Sequence, residues 1–169
     1  MGYNDPTYVI FDGDKDKWAY AYMRGWKKNE KIDFDFRDAH DLDNMTSRAQ
    51  NEEYVKRQLR QRMKESKQVI VLIGANTKNL YRFVRWELDL ARELDLPIIA
   101  VNLNDKRRQD DERCPPIIRD TCVVHVSFNM AIIKYALENW PSEYRRLPAE
   151  VKGKGWRYYS DDIYRGLGL

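Results

Sequence analysis

Cysteine and histidine are scarce in this chain of 169 residues, with two of each: Cys114 and Cys122, His40 and His125. Two cysteines make no disulfide framework, and without a CxxC pair a zinc site is not expected. No apolar run comes near the roughly 20 residues that a membrane span needs. The opening MGYNDPTYVIF lacks the basic-then-apolar pattern of a secretory leader. A dominant charge is missing too. Lys and Arg total 30 against 27 Asp and Glu, a formal net charge of +3, too small an excess to argue for nucleic acid. The basic run Lys106-Arg107-Arg108 is followed at once by Asp110-Asp111-Glu112 and reads as a solvated loop. Internal repeats and low-complexity stretches are absent. The eight glycines form no Walker or GxGxxG pattern. The expectation is a cytoplasmic, metal-free globular protein that binds neither nucleic acid nor membrane.

What is present is alternation of short apolar runs with longer helical ones. Thr7 to Phe11 (TYVIF) reads as a buried strand closed by the turn Asp12-Gly13-Asp14. Trp18, Ala21, Tyr22, Gly25 and Trp26 then recur at helical spacing. Ile32, Phe34 and Phe36 alternate with charged residues, as in a half-exposed edge strand, and a polar loop runs from Arg37 to Ala49. Tyr54, Val55, Leu59 and Met63 mark a second helix. Gln68 to Ile73 (QVIVLI), Pro97 to Val101 (PIIAV) and Cys122 to Val126 (CVVHV) read as further strands. A third helix spans Leu80 to Leu94, and a last one is capped by Asn129 and stopped at Pro141. Apolar strands alternating with helices imply a parallel sheet covered on both faces. Five such units give an α/β, flavodoxin-like three-layer sandwich with strand order 2-1-3-4-5. Residues 1–140 form this domain. Residues 141–169 form an extension that packs on it through Trp156, Tyr158, Tyr159 and Tyr164.

In such a sheet, ligands bind beyond the carboxyl ends of the strands where the strand order reverses, here between strands one and three. The loops at that place are Asp12-Gly13-Asp14 and Gly74-Ala75-Asn76-Thr77. Glycine lets backbone approach a ligand, and N–H groups at helix starts favour phosphate, although ordinary tight turns look the same. The third helix is more specific. Its apolar stripe, Leu80, Phe83, Val84, Leu88, Ala91 and Leu94, has room for one more core residue, and that residue is Glu87. A carboxylate on a core stripe is costly unless it is paired or faces a cleft. Either Glu87 sits at the stripe edge, paired with Arg82, Arg85 or Arg92 or reaching water, or it lines the crevice as a reactive group. A lone carboxylate without metal suits cleavage of a bond whose leaving group departs easily, such as the N-glycosidic bond of NAD. His125 reads as a structural residue of the fifth strand, and nothing places His40 at the site.

Val69-Ile70-Val71-Leu72-Ile73-Gly74, Thr77, Phe83-Val84-Arg85-Trp86-Glu87 and Pro97-Ile98-Ile99-Ala100-Val101 together resemble the third strand, Glu-bearing helix and fourth strand of the TIR-like family, in particular its bacterial branch from Thoeris antiphage defence. YVIFDGDKD resembles that family's opening element. The likeness spans about residues 7 to 140 and is most specific from Gln68 to Asn104. It implies an enzyme that consumes NAD as substrate, needs no metal, and makes an ADP-ribose-derived signal that diffuses to a separate effector protein. By this resemblance Glu87 corresponds to the catalytic Glu. Phe83 stands where the family often has Trp. Phe11, Asp12 and Gly13 correspond to the loop that contributes to the nucleotide cleft, and Gly74 and Thr77 border the same cleft. Arg37 and Asp38 begin the loop after the second strand; Asp38 is placed with the cleft residues, and the loop often shapes self-association, so a homo-oligomer is possible. The first strand often ends in Ser-Phe or Ser-Tyr in the family, where Phe11-Asp12 stands here.

Three rivals remain at this level. One is a non-catalytic TIR-like adaptor, since the fold alone does not establish catalysis. Another is a nucleoside deoxyribosyltransferase, which follows the same glycosidic logic. The third is a phosphoacceptor receiver domain, which fits Asp12 and Asp14 but lacks an Asp at the end of strand three and a Lys after strand five.

Overall fold

A computed structural model describes residues 5–28, 36–37, 52–80 and 83–169. Along the chain run β1 (Thr7–Ile10), α1 (Lys17–Lys28), β2 (Phe36–Arg37), α2 (Glu52–Lys64), β3 (Gln68–Ile73), a 3₁₀ turn (Thr77–Asn79), α3 (Val84–Glu93), β4 (Ile98–Asn102), β5 (Val124–Ser127), α4 (Met130–Arg146), β6 (Arg157–Tyr158) and α5 (Asp161–Gly166). The described strands form one six-stranded sheet in the order β2-β1-β3-β4-β5-β6, and every pairing is parallel. The strand order of the first five is the expected one, with β2 at the edge. Asp38, His40 and most of the polar loop after β2 lie outside the described residues, as does Arg82.

Because side chains alternate across a strand, each central strand feeds two cores. Val9, Phe11, Ile70, Leu72, Ile99 and Val101 face α1 and α4. Tyr8, Ile10, Val69, Val71, Ile73 and Ala100 face α2 and α3. These strands are buried on both faces, which is why they read as continuous apolar runs rather than as alternating ones.

Three details depart from the sequence reading. In α1 the buried residues are Ala19, Tyr20 and Met23, whereas Trp18 and Tyr22 are 48% and 61% exposed. The helix is turned because the buried Asp16, just ahead of it, packs against Gly74, which puts residues three, four and seven positions later on the sheet side. The third helix begins at Val84 rather than Leu80, since a 3₁₀ turn and the extended Leu80 (ψ 82°) precede it. Pro141 does not stop α4, which continues to Arg146. The turn beyond it is held by tertiary contacts: Tyr144 is buried and tilts against Trp140, and its hydroxyl donates to Asp95 Oδ1 at 2.7 Å.

The residues after α4 enlarge the sheet. β6 lies parallel to β5, with Val124 opposite Arg157. Tyr164 is fully buried and accepts a hydrogen bond from the Ser127 N–H at 3.3 Å, at the carboxyl end of β5. The Arg107 guanidinium lies 4.1 Å above the Tyr164 ring, a contact between cation and π face that also ties down the loop after β4. Just beyond the same end of β5, the Asn129 side chain caps α4 by accepting from Ala131 N–H at 2.8 Å. Asn129→Ala leaves that donor open, and urea unfolding is expected to show a loss of about 1 kcal/mol.

Candidate active site

Parallel strands put the loops after β1 and β3 side by side at one edge of the sheet. Each returning helix starts at that edge, so the first turn of α3 lies there as well. The two loops are joined through their own polar groups. Asp12 Oδ1 accepts from the N–H groups of Asp14 (2.9 Å) and Lys15 (3.2 Å), and Asp12 Oδ2 accepts from Asn76 Nδ2 at 3.4 Å. Thr77 Oγ1 accepts from Gly74 N–H at 2.8 Å and donates to Asp16 Oδ2 at 3.4 Å. Asp16 is buried. Desolvation, reinforced by the Asp12 charge, raises its pKa above the usual carboxylate value. The structure thus brings Asp12, Gly74 and Thr77 together. It commits the Gly74 N–H to a side chain rather than leaving it open for a phosphate. Gly13 is different: its position is exposed and opens on empty space.

The other expected residues are distributed over both faces of the sheet. Phe11 turns toward α1, where its ring stacks on Tyr20 at 4.7 Å; it lies in the core opposite to that of Glu87. Phe83 sits at the N-cap of α3, half-buried against the α2–α3 core. Its carbonyl receives the Glu87 N–H at 2.7 Å, which fixes the first helical turn.

Glu87 occupies the stripe position that the spacing left for it and is fully buried. Its partner is not an arginine of its own helix. Tyr8 of β1, itself fully buried, donates its hydroxyl to Glu87 Oε2. The other oxygen, Oε1, is buried with no hydrogen-bond partner among the described residues. Burial pushes the Glu87 carboxyl up to about 8, and the Tyr8 hydrogen bond only partly opposes that rise. The Tyr8 phenol is raised as well, by burial and then by the adjacent carboxylate, against the opposing charge of Arg62. A cavity of about 490 Å³ opens at the opposite edge of the sheet, beside Asp95, Cys122 and Tyr144.

Sequence reasoning missed Tyr8 and Asp16. Tyr8 had a signal: it is the polar-tipped residue of TYVIF, two places from Ile10, so period two sets both on one face. Asp16 had none, because its burial depends on the bare Cα of Gly74, 58 positions away in the chain. His125 lies in β5, fully buried with its ring edge-on to Trp156 at 6.0 Å. Burial holds its pKa down to about 4 and the ring neutral, and neither ring nitrogen has a hydrogen-bond partner among the described residues. Cys114 and Cys122 are free buried thiols. Among the described residues there is no cluster of His, Cys, Asp or Glu able to hold a metal ion, and no helix long and apolar enough to cross a membrane.

The family model of the TIR-like domain of Thoeris protein ThsB matches residues 8–108, a stretch that runs from the second residue of β1 past β4 and contains both loops of the site, Tyr8 and Glu87.

Proposed function

The chain belongs to the TIR-like domain family of Thoeris protein ThsB, and on that premise we propose that it consumes NAD, cleaving the nicotinamide–ribosyl bond and releasing an ADP-ribose-derived signal to a separate effector in antiphage defence. The observation that carries this reading is Glu87 itself: a carboxyl taken wholly out of water, with one oxygen held and the other left over. An unsatisfied buried acid is expensive, and such groups concentrate where chemistry uses them. In the proposed reaction the C–N bond to nicotinamide breaks. The electron pair leaves with the ring, which goes from a pyridinium to a neutral base, and positive charge develops on the ribose. The Glu87 carboxylate stabilises that charge, and Oε1 receives a ribose hydroxyl. The acceptor that ends the reaction is water, the adenosine part of the same substrate, or another nucleophile.

The enclosed carboxyl makes the described form a resting one in this reading. Substrate reaches Glu87 only after the groups above it part, so activity follows a trigger. The same enclosure favours a second reading, a non-catalytic interaction protein in which Glu87 is a structural acid. Mass spectrometry of small molecules from phage-infected cells separates the two. The wild type is expected to deplete NAD and accumulate an ADP-ribose-derived product, and Glu87→Gln to do neither. A product profile unchanged by Glu87→Gln removes the assigned role, and phage protection that persists in that variant supports the interaction protein.

A further inference from the structure

Glu87 presents two chemically identical oxygens in two different surroundings, and a residue far away in sequence makes the difference. Tyr8 is held by the sheet: it stands opposite Arg37 of β2 and Val69 of β3 in register. Its side chain leaves β1 on the face covered by α2 and α3. There the hydroxyl meets Oε2, while Oε1 has no partner among the described residues. The Glu87 backbone is fixed independently, by its N–H bond to the Phe83 carbonyl in the first turn of α3. With the backbone and one oxygen held, the carboxyl has fewer orientations open to it, and Oε1 is the oxygen left for another donor.

We propose that Tyr8 is the positioning residue of the site: its hydroxyl holds Glu87 Oε2, favours the ionised carboxylate, and so reserves Oε1 for a ribose hydroxyl of the substrate. This rests on the reading of Glu87 given above and extends it to a group outside the reacting atoms. Chemically, a phenol donates more strongly to a carboxylate than to a neutral carboxylic acid, because hydrogen bonds to a charged acceptor are the stronger kind. Among the described residues, the core on this face is apolar. The β3 residues on this face are Val69, Val71 and Ile73, α3 contributes Val84 and Leu88, and α2 contributes Leu59 and Met63. Arg62 of α2 acts on the pair through Tyr8. Without the phenol, Glu87 would lose the hydrogen bond that opposes its desolvation and hold its proton to higher pH. Phenylalanine at position 8 fills nearly the same volume, so the variant isolates the oxygen.

The test follows the carboxyl carbon of Glu87 by ¹³C NMR in glutamate-labelled protein, with Glu87→Gln identifying its signal, and measures the product in infected cells. In Tyr8→Phe the titration midpoint is expected to rise by about one unit, and the product to fall by about tenfold at neutral pH, in line with the smaller ionised fraction. Site-specific 3-fluorotyrosine at position 8, a more acidic phenol of almost the same shape, is expected to lower the midpoint; it keeps the test decisive if Tyr8→Phe folds poorly. A midpoint unmoved by either change overturns the proposal and leaves Tyr8 with packing alone. A midpoint that moves while product is unchanged overturns it as well. Failure of the underlying reading looks different: there Glu87→Gln itself leaves the product intact.

Discussion

Glu87→Gln is expected to gain stability relative to the wild type as the pH rises, even as it loses product. The sign follows from the shift. Glu87 ordinarily titrates near 4.5 and is pushed up to about 8 by burial. Below the lower value both folded and unfolded chains carry the proton, and burial of the neutral acid imposes no ionisation cost. Between the two values the unfolded chain has released a proton that the folded chain still binds, so stability falls as pH rises. The slope is about 1.4 kcal/mol per pH unit, and the loss is complete once the folded carboxyl ionises, for a total on the order of 5 kcal/mol. Glutamine does not titrate. It keeps an acceptor for the Tyr8 hydroxyl, and its buried amide N–H groups impose a cost that does not vary with pH. Urea unfolding of both proteins at about pH 5 and about pH 8.5 measures the difference directly. Curves that separate with pH bear out the buried acid, whereas a constant offset would mean that Glu87 is solvated in the folded protein. The same residue would then place stability in opposition to activity, a conflict common where a site needs a group that the core does not.

Gly74→Ala should damage the junction of the two loops. A Cβ at Gly74 would stand 2.2 Å from Asp16 Oδ2 and 2.5 Å from Oδ1, far inside contact distance. Asp16 would have to leave its buried position and its contact with Thr77, and its neighbour Ala19 begins the buried face of α1. Overpacking of this kind costs about 1–3 kcal/mol. The diagnostic is a double-mutant cycle with Asp16→Ala. That substitution removes the obstructing carboxylate and makes room for the new methyl, so the double variant is expected to be more stable than Gly74→Ala alone. Strict additivity in the cycle would show that the glycine is required for a reason other than the Asp16 approach. In the proposed enzyme, Gly74→Ala also reduces product, since both loops border the candidate cleft.

Much of this protein is written locally. QVIVLI and PIIAV declare buried parallel strands because residues enclosed on both sides are apolar without alternation. The place of Glu87 follows from helical spacing alone, and the alternation of strands with helices gives a parallel sheet, for which five units suggested the order 2-1-3-4-5. Where local signals failed, a longer-range contact had prevailed. The aromatic residues Trp18 and Tyr22 suggested the wrong face of α1, because the rotation of that helix is set by Asp16 against Gly74. Pro141 suggested an end to α4, yet Trp140, Tyr144 and Asp95 hold the helix beyond it. The sixth strand was hidden as well, since two residues pairing with β5 leave no periodicity to read.

The sequence by itself determined the fold class, the edge of the sheet where the loops gather, and the acid that interrupts an apolar stripe, because spacing along a helix or strand is a local property. The tertiary structure alone decided what that acid meets. A hydroxyl 79 positions away on β1, brought over it by parallel pairing, takes one of its oxygens, and the surrounding core takes its water away. Hydrogen bonding and desolvation depend on what surrounds a group in space, and no pattern along the chain encodes that.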